Sequence, residues 1–551
     1  MMSSTCERAG VPKGLARLMA LSVCFFALPA TAQSFRVQCP GTTPLHPGIC
    51  SGGTNAGQTC VTVADCPNPT GTCVGGGIDA SHPGQIKCQH VGGGDGYATM
   101  GDGTQIYLFA FSPLSGLADL QAGRPGTETA AVFNTGYVGP NYSTVGAGTC
   151  IGGSNAGQSC RAVADCPDSI SAGTACAIDA GINVAATPTN GAITEPAGIM
   201  DMGVLAGNAP APLMAIDEDD EFFLTLSNPG MIMRPDLFEQ HTVHFHGYPN
   251  ASSYFDGVPD ASIAINIAGS FTYYYTAPDA GTYFWHCHIT PPEHLQMGMV
   301  GQLYVRPRQN RVPSTQQLRT ALVAANQKAA VDPTANGLLC TDILCTGQTP
   351  APPANTVVGG GKFAYNDGDG STRYDVEYPI QMMGFDPNFH YVGMTFNPEA
   401  FSDIKDKYFL LSGRSYPDTV NPNPISTVSA DGVARPSQPL PSLIQINKSA
   451  GQTRALLRVS DLSVTEFTTL GTVGISMQVI AVNARLLRDM AGNNLYYNAN
   501  SITLGGGESA DVILDAADIP AGTYFLYSTN LDHLSNDAEN FGGMMTEIQV
   551  L

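Results

Sequence analysis

Apolar and polar residues in this chain alternate in short runs broken by glycine and proline. That is the pattern of strands, whose successive side chains face opposite sides. Tyr97 to Phe111 reads as a strand, a turn and a return strand. Ala215 to Asn228 reads as an acidic turn feeding a strand, and Ser270–Thr276 and Val300–Val305 supply two more. A second series runs through Lys407–Pro417, Met477–Val482, Ile502–Glu508 and Gly522–Ser528. Between the two series, residues 307–372 lose the pattern. Thr315 to Ala330 has helical character there, and a Pro- and Gly-rich linker follows it. Asp367-Gly-Asp-Gly370 lacks the remaining acidic ligands of a calcium loop and reads as an ordinary turn. The chain is therefore expected to be all-β, with one antiparallel sandwich over 95–306, a linker over 307–372 and a second β domain over 373–551.

Composition agrees with that class. The 551 residues include 62 Gly and 39 Pro, which suits a turn-rich β protein of two or three domains. Residues 1–32 have the marks of a secretory signal: Arg8, Lys13 and Arg17, an apolar run from Leu18 to Ala30, then Ala30-Thr31-Ala32 before Gln33. No later run reaches the 18 apolar residues or so that a membrane span needs. An exported chain, periplasmic or extracellular, is the expectation. Without that segment, 21 cationic and 45 anionic side chains remain, a net charge of −24. Nucleic acid and anionic membranes are poor partners for such a surface. Cations or a basic redox partner suit it better.

Cysteine usage fits an oxidising compartment. Of fifteen Cys, two leave with the signal, and Cys287 has another role described below. Eight of the remaining twelve belong to an internal repeat. Cys50-Ser-Gly-Gly-Thr-Asn-Ala-Gly-Gln-Thr-Cys60 with Cys66 recurs as Cys150-Ile-Gly-Gly-Ser-Asn-Ala-Gly-Gln-Ser-Cys160 with Cys166, and each unit gains a fourth Cys, at Cys73 and Cys176. Such apolar-poor units are expected to be loops stapled by two disulfides each. The first lies in a Cys-rich segment over 33–94, and the second is inserted into the first sandwich at about 148–178. Cys39 with Cys88, and Cys340 with Cys345, are the remaining candidate pairs.

The densest chemistry lies between His241 and Met299, which holds six of the chain's eleven histidines. It opens with His241-Thr-Val-His244-Phe-His246 and closes with Trp285-His286-Cys287-His288, then His294-Leu-Gln-Met-Gly-Met299. Imidazole, thiolate and thioether together suit copper, and two His with one Cys and a long axial Met make a blue-copper site. Strand parity sorts the ligands. Cys287 faces away from His286 and His288, and His241 is out of phase with His244 and His246. One set (His241, Cys287, His294, Met299) can close on one copper. The other (His244, His246, His286, His288) gathers behind it, joined to the first through the peptide at Cys287.

These two runs resemble the HxxHxH and HCH…H…M signatures of the multicopper oxidases. The resemblance implies a type 1 copper on His241, Cys287, His294 and Met299, with the oxygen-reducing coppers on His244, His246, His286 and His288. It implies two cupredoxin-like Greek-key β-sandwich domains, the second without type 1 copper, carrying small disulfide-rich insertions. Pro291-Pro292 lengthen the Cys287–His294 loop relative to the family spacing. A full cluster in that family uses eight histidines in four His-x-His-type pairs, and this chain has no such pair outside the core motif. The chain also resembles copper nitrite reductases. There a second-domain histidine, here His533, completes a type 2 copper across the interface of a homotrimer, although the position of their catalytic Asp is His244 here. The activity implied is oxidation of a small donor, phenolic or a metal ion, at the type 1 copper, with dioxygen reduced at the histidine cluster. A nitrite-reductase-like enzyme and a non-enzymatic electron-transfer or copper-binding protein are the alternatives.

Overall fold

The computed structural model describes residues 35–551 apart from 68–69, 76–83, 141–147, 249–251, 332–356, 396–399, 490–491 and most of 151–186. The expected signal, the Cys340–Cys345 pair and the side chains of the second Cys unit lie outside the described residues.

The alternation read from the sequence builds two layered β units. In the first, a five-stranded sheet orders Gly269–Thr276, Glu221–Asn228, Ile86–Thr99 and Gln105–Pro113, with Glu128–Thr129 beside Ile86–Thr99. A four-stranded sheet orders Met214–Asp217, Val300–Arg306, Gly281–His286 and His244–Phe245. Their inner faces share one core that includes Phe109, Phe222 and Tyr275 from one sheet and Met214, Trp285 and Leu303 from the other. Two further sheets repeat the scheme in the second half, around Ile380, Leu457 and Val512 on one side and Leu470, Leu526 and Ile548 on the other. The fold class is all-β, as the residue pattern predicts.

One expectation needs correction. The first sandwich is mixed rather than antiparallel. Met214–Asp217 runs parallel to Val300–Arg306, and Glu221–Asn228 runs parallel to Ile86–Thr99. The acidic turn between them is the cause. Asp219 takes φ +74° and Asp220 accepts hydrogen bonds from the amides of Asp217 and Gln85, so the chain crosses from one sheet to the other within three residues. The second half has its own parallel pairs, Val376–Phe385 with Arg454–Asp461 and Ile444–Ile446 with Met545–Val550. The strand Ile86–Thr99 is continuous over 14 residues. Both ends of the 307–372 stretch pack against neighbouring elements. Arg308 pairs with Asp219, and the Gln309 side chain donates to Asp367. The helix Leu318–Val331 falls where helical character was read. Asp367 is filled by the amides of Asp369, Gly370 and Thr372, as an ordinary turn requires.

Disulfides Cys50–Cys66 and Cys60–Cys73 staple the first repeat unit, and Cys39–Cys88 ties the N-terminal segment to the central sheet. The second unit repeats the first unit's backbone pairing. Gly48 opposite Cys60 and Cys50 opposite Cys73 become Gly148 opposite Cys160 and Cys150 opposite Cys176.

The strand Gly281–His286 is shared between the halves. Tyr283 and Trp285 point into the first core. Phe284 points the other way, into a cluster with Met383, Phe385 and Leu462, and the Thr282 hydroxyl donates to Asp511 at 2.6 Å. Arg458, fully buried at this joint, is 3.0 Å from Glu377 and 3.6 Å from Asp511, and it lies over the Tyr304 ring. Removing one member of such a buried set leaves an uncompensated charge.

Asp406 is buried at the same joint between the side chains of Gln296 and Thr465, and burial pushes its carboxyl up to about 7. The native state therefore holds a proton there that the unfolded chain, near pKa 3.9, has already lost, so this group's contribution to stability falls as pH rises from about 4 to 7. Asp406→Asn is expected to remove that dependence, making the loss of thermal stability between pH 5 and pH 8 smaller by about 1–3 kcal/mol. Unfolding followed by circular dichroism at the two pH values checks it.

Candidate metal centre

The parity of the central strand continues past its last residue. Cys287 follows Tyr283 and Trp285 into the first core, while His286 and His288 follow Phe284 to the opposite side. The histidine run repeats the division. Val243 and Phe245 enter the core, and His244 and His246 face outward with His286. Only His244–Phe245 of that run pairs as a strand, opposite His286 and Trp285. His241 is held instead by an isolated bridge to Ile265. His294 lies on a short helix, Pro291–Gln296, rather than in an irregular loop. The Pro291-Pro292 pair causes this, because proline is preorganised for a helix's first turn.

At the first site the Nδ1 atoms of His294 and His241 approach Cys287 Sγ at 3.3 Å and 3.9 Å, and all three residues are fully buried. Their donor atoms lie within 4.8 Å of one another. The Thr242 amide lies 3.4 Å from the sulfur and points its N–H at it. Met299 is buried in the same core, its carbonyl accepting from the Cys287 amide and its amide donating to the His294 carbonyl. Met297 directs its sulfur toward Gly393. Burial alone would raise the Cys287 thiol, but His294 and His241 hold it well below the usual thiol range. His294 responds in the opposite sense. Against burial, the Cys287 thiolate and then Glu239, 3.6 Å from Nε2, push it up to about 10. The pocket thus favours a cation beside the sulfur, and a thiolate with two imidazoles, in a core that also holds Met299, is a soft donor set of the kind a blue-copper site uses.

The second site is the set of histidines on the reverse side. His246 Nε2 and His286 Nε2 are 3.0 Å apart, and His244 joins them with all donor atoms within 4.8 Å. Each of the three has its other ring nitrogen at the backbone. Nδ1 of His244 meets the Asp256 carbonyl at 2.6 Å, and Nδ1 of His286 meets the Cys287 carbonyl at 2.7 Å. His246 is tied to the backbone of Gly507, from the second half of the chain. These bonds fix the tautomer, with Nδ1 protonated and each Nε2 lone pair turned to the common point. Burial, with smaller contributions from the neighbouring imidazoles, lowers His246 to about 4 and His286 to about 3, so both rings are neutral and able to ligate near pH 7. His288 packs 5.0 Å from the His244 ring and stacks on His286 at 5.4 Å, outside the three-residue group.

His533 is not brought to either site within this chain. It is buried, stacked on Phe409, with Nδ1 at the Ser528 hydroxyl and Nε2 3.0 Å from Glu466. Glu239, the Thr242 amide, the Asp256 carbonyl and Gly507 are functional contacts that the sequence reading did not find. Three of them act through the backbone or the absence of a side chain. Gly507 comes from more than 200 residues away and has no local motif to announce it.

Residues 189–310 match the family model for multicopper oxidases. Among curated proteins, a multicopper oxidase of Talaromyces pinophilus is 34% identical over 112 residues, covering 20% of this chain and 17% of that protein. A laccase of Aspergillus fumigatus is 31% identical over 113 residues, covering 20% of this chain and 18% of its own. The match thus spans less than a fifth of either relative. Among solved structures, a blue copper oxidase from Nitrosomonas europaea aligns at 20% identity and TM-score 0.40, covering 63% of this chain and 78% of that one. A copper nitrite reductase from the same organism aligns at 16% identity and TM-score 0.36, covering 62% and 84%.

Gly507 has φ +88°, and a Cβ there would lie 2.6 Å from His246 Nδ1. Gly507→Ala is therefore expected to displace His246 and weaken copper binding at the second site by about 10–100-fold, the usual effect of losing an outer-shell partner. The blue absorption of the first site should persist. Equilibrium dialysis with copper, read alongside the visible spectrum, measures both.

Proposed function

Because residues 189–310 match the family model for multicopper oxidases, we propose that the chain is a copper-dependent oxidoreductase. It takes electrons from a small donor at the Cys287 site and delivers them to an acceptor at the His244, His246 and His286 site, with dioxygen as the acceptor. Copper, when bound at the two sites, supplies one-electron redox couples and, at the second, an open position for the acceptor. The chain supplies the rest. His241, Cys287 and His294 would hold the first ion away from water, so that a donor would give its electron across the protein surface near Glu239. Cys287 and His286 are adjacent, so sulfur, Cβ, Cα and one peptide form a covalent path from the first site to an imidazole of the second.

The observation that carries this reading is the single residue step between the thiolate and His286, with the two side chains on opposite faces of one strand. Both donor sets fit copper, and their separation suits transfer of electrons rather than joint binding of one ligand. Disulfides in the first Cys unit favour an exported protein. Phenols and metal ions both remain within the donor class, and the acidic surface favours cations. His533, engaged at both ring nitrogens, is left out of the proposed ligand set.

Copper-loaded protein should show an intense blue charge-transfer band and oxidise one-electron donors with uptake of dioxygen. Cys287→Ser should lose the band and lower donor oxidation by at least about 100-fold, more than an outer-shell change would cause. A band that survives Cys287→Ser would overturn the reading.

A further inference from the structure

The second site does not fit the three-copper cluster that the resemblance implies. We propose that it holds a single copper on His244, His246 and His286, so that the chain carries two coppers in all. This rests on the copper reading above and concerns the number of ions alone.

Three observations support it. With each Nδ1 committed to a carbonyl, each of these histidines has one nitrogen left to give, and the three converge within 4.8 Å. The 3.0 Å between the Nε2 atoms of His246 and His286 suits one ion about 2 Å from both. His288 belongs to the wall of the site, its ring stacked over His286 and its amide donating to the Thr242 hydroxyl.

The remaining histidines are spent elsewhere. His46 is 2.6 Å from Glu221 in a buried cluster. His90 has Nδ1 at the Ile193 carbonyl and Nε2 at the Ser227 hydroxyl. His390 is buried against Phe385 with Nδ1 at the Tyr107 carbonyl, and His533 is held by Ser528 and Glu466. His82, outside the described residues, would raise the four outward histidines only to five, against the eight of a full cluster. Assembly does not change this total. In a symmetric oligomer of identical chains, each site gains from a neighbour only what its own chain gives away.

The test uses the full copper-loaded protein. Metal analysis should give two coppers per chain, and electron paramagnetic resonance should detect all of that copper as two signals of equal intensity, one blue and one ordinary. His246→Ala should lose one copper and keep the blue band. His288→Ala should keep both coppers, which also guards against a failure of the first variant to fold. One copper per chain, three or more, a magnetically silent pair, or loss of a copper from His288→Ala would each overturn the proposal. Two coppers without donor oxidation would support it and overturn only the activity proposed above.

Discussion

Everything at the metal centre follows from the two-residue repeat of one strand. Tyr283, Trp285 and Cys287 point into the first sandwich, and Phe284, His286 and His288 point out of it. A strand buried on both faces normally carries apolar residues on both. Here the pattern holds until the strand's end, and at its last turn the apolar pairs give way to sulfur on one side and imidazole on the other. The backbone needs no special geometry for this. The chemistry is imposed by which atoms occupy positions that packing already defines.

Packing on the outward face then decides what those imidazoles can do. The joint between the halves supplies the Gly507 backbone to His246, Asp511 to Thr282, and Phe284's apolar neighbours. Rings held by carbonyls at one nitrogen present the other without rotating, so little side-chain entropy is lost when an ion arrives. The first site is prepared differently. Its sulfur is surrounded by core, and the charge it retains is balanced by a proton drawn to His294.

Much of this was legible in the sequence. The His and Cys spacing with strand parity was enough to sort eight candidate ligands into two sets; the structure gathers His241, Cys287 and His294 in one group and His244, His246 and His286 in another, with His288 stacked beside the second. The first repeat unit announced its two staples through its cysteines. What was not legible depends on distant parts of the chain. The parallel pairs arise from a three-residue sheet switch at Glu218–Asp220, which reads locally as a turn. His241 reads as a strand residue by its neighbours but is held by a single bridge to Ile265. Gly507 reads as part of a glycine-rich turn, and nothing near it in sequence says that an imidazole 261 residues earlier rests on it. Likewise His533 looks free beside Asn530 and Asp532, yet Phe409 and Glu466 claim it.

The reach of Gly507 to His246 has a mechanical meaning. One half of the molecule owns the imidazoles and the other owns the carbonyl that aims one of them, so the ion and the seam between the halves are thermodynamically linked. An ion that binds only the aligned rings also draws the two sandwiches together, by an amount that grows with its free concentration over its dissociation constant. Stripping the metal would therefore slacken the molecule's waist as well as silence its chemistry.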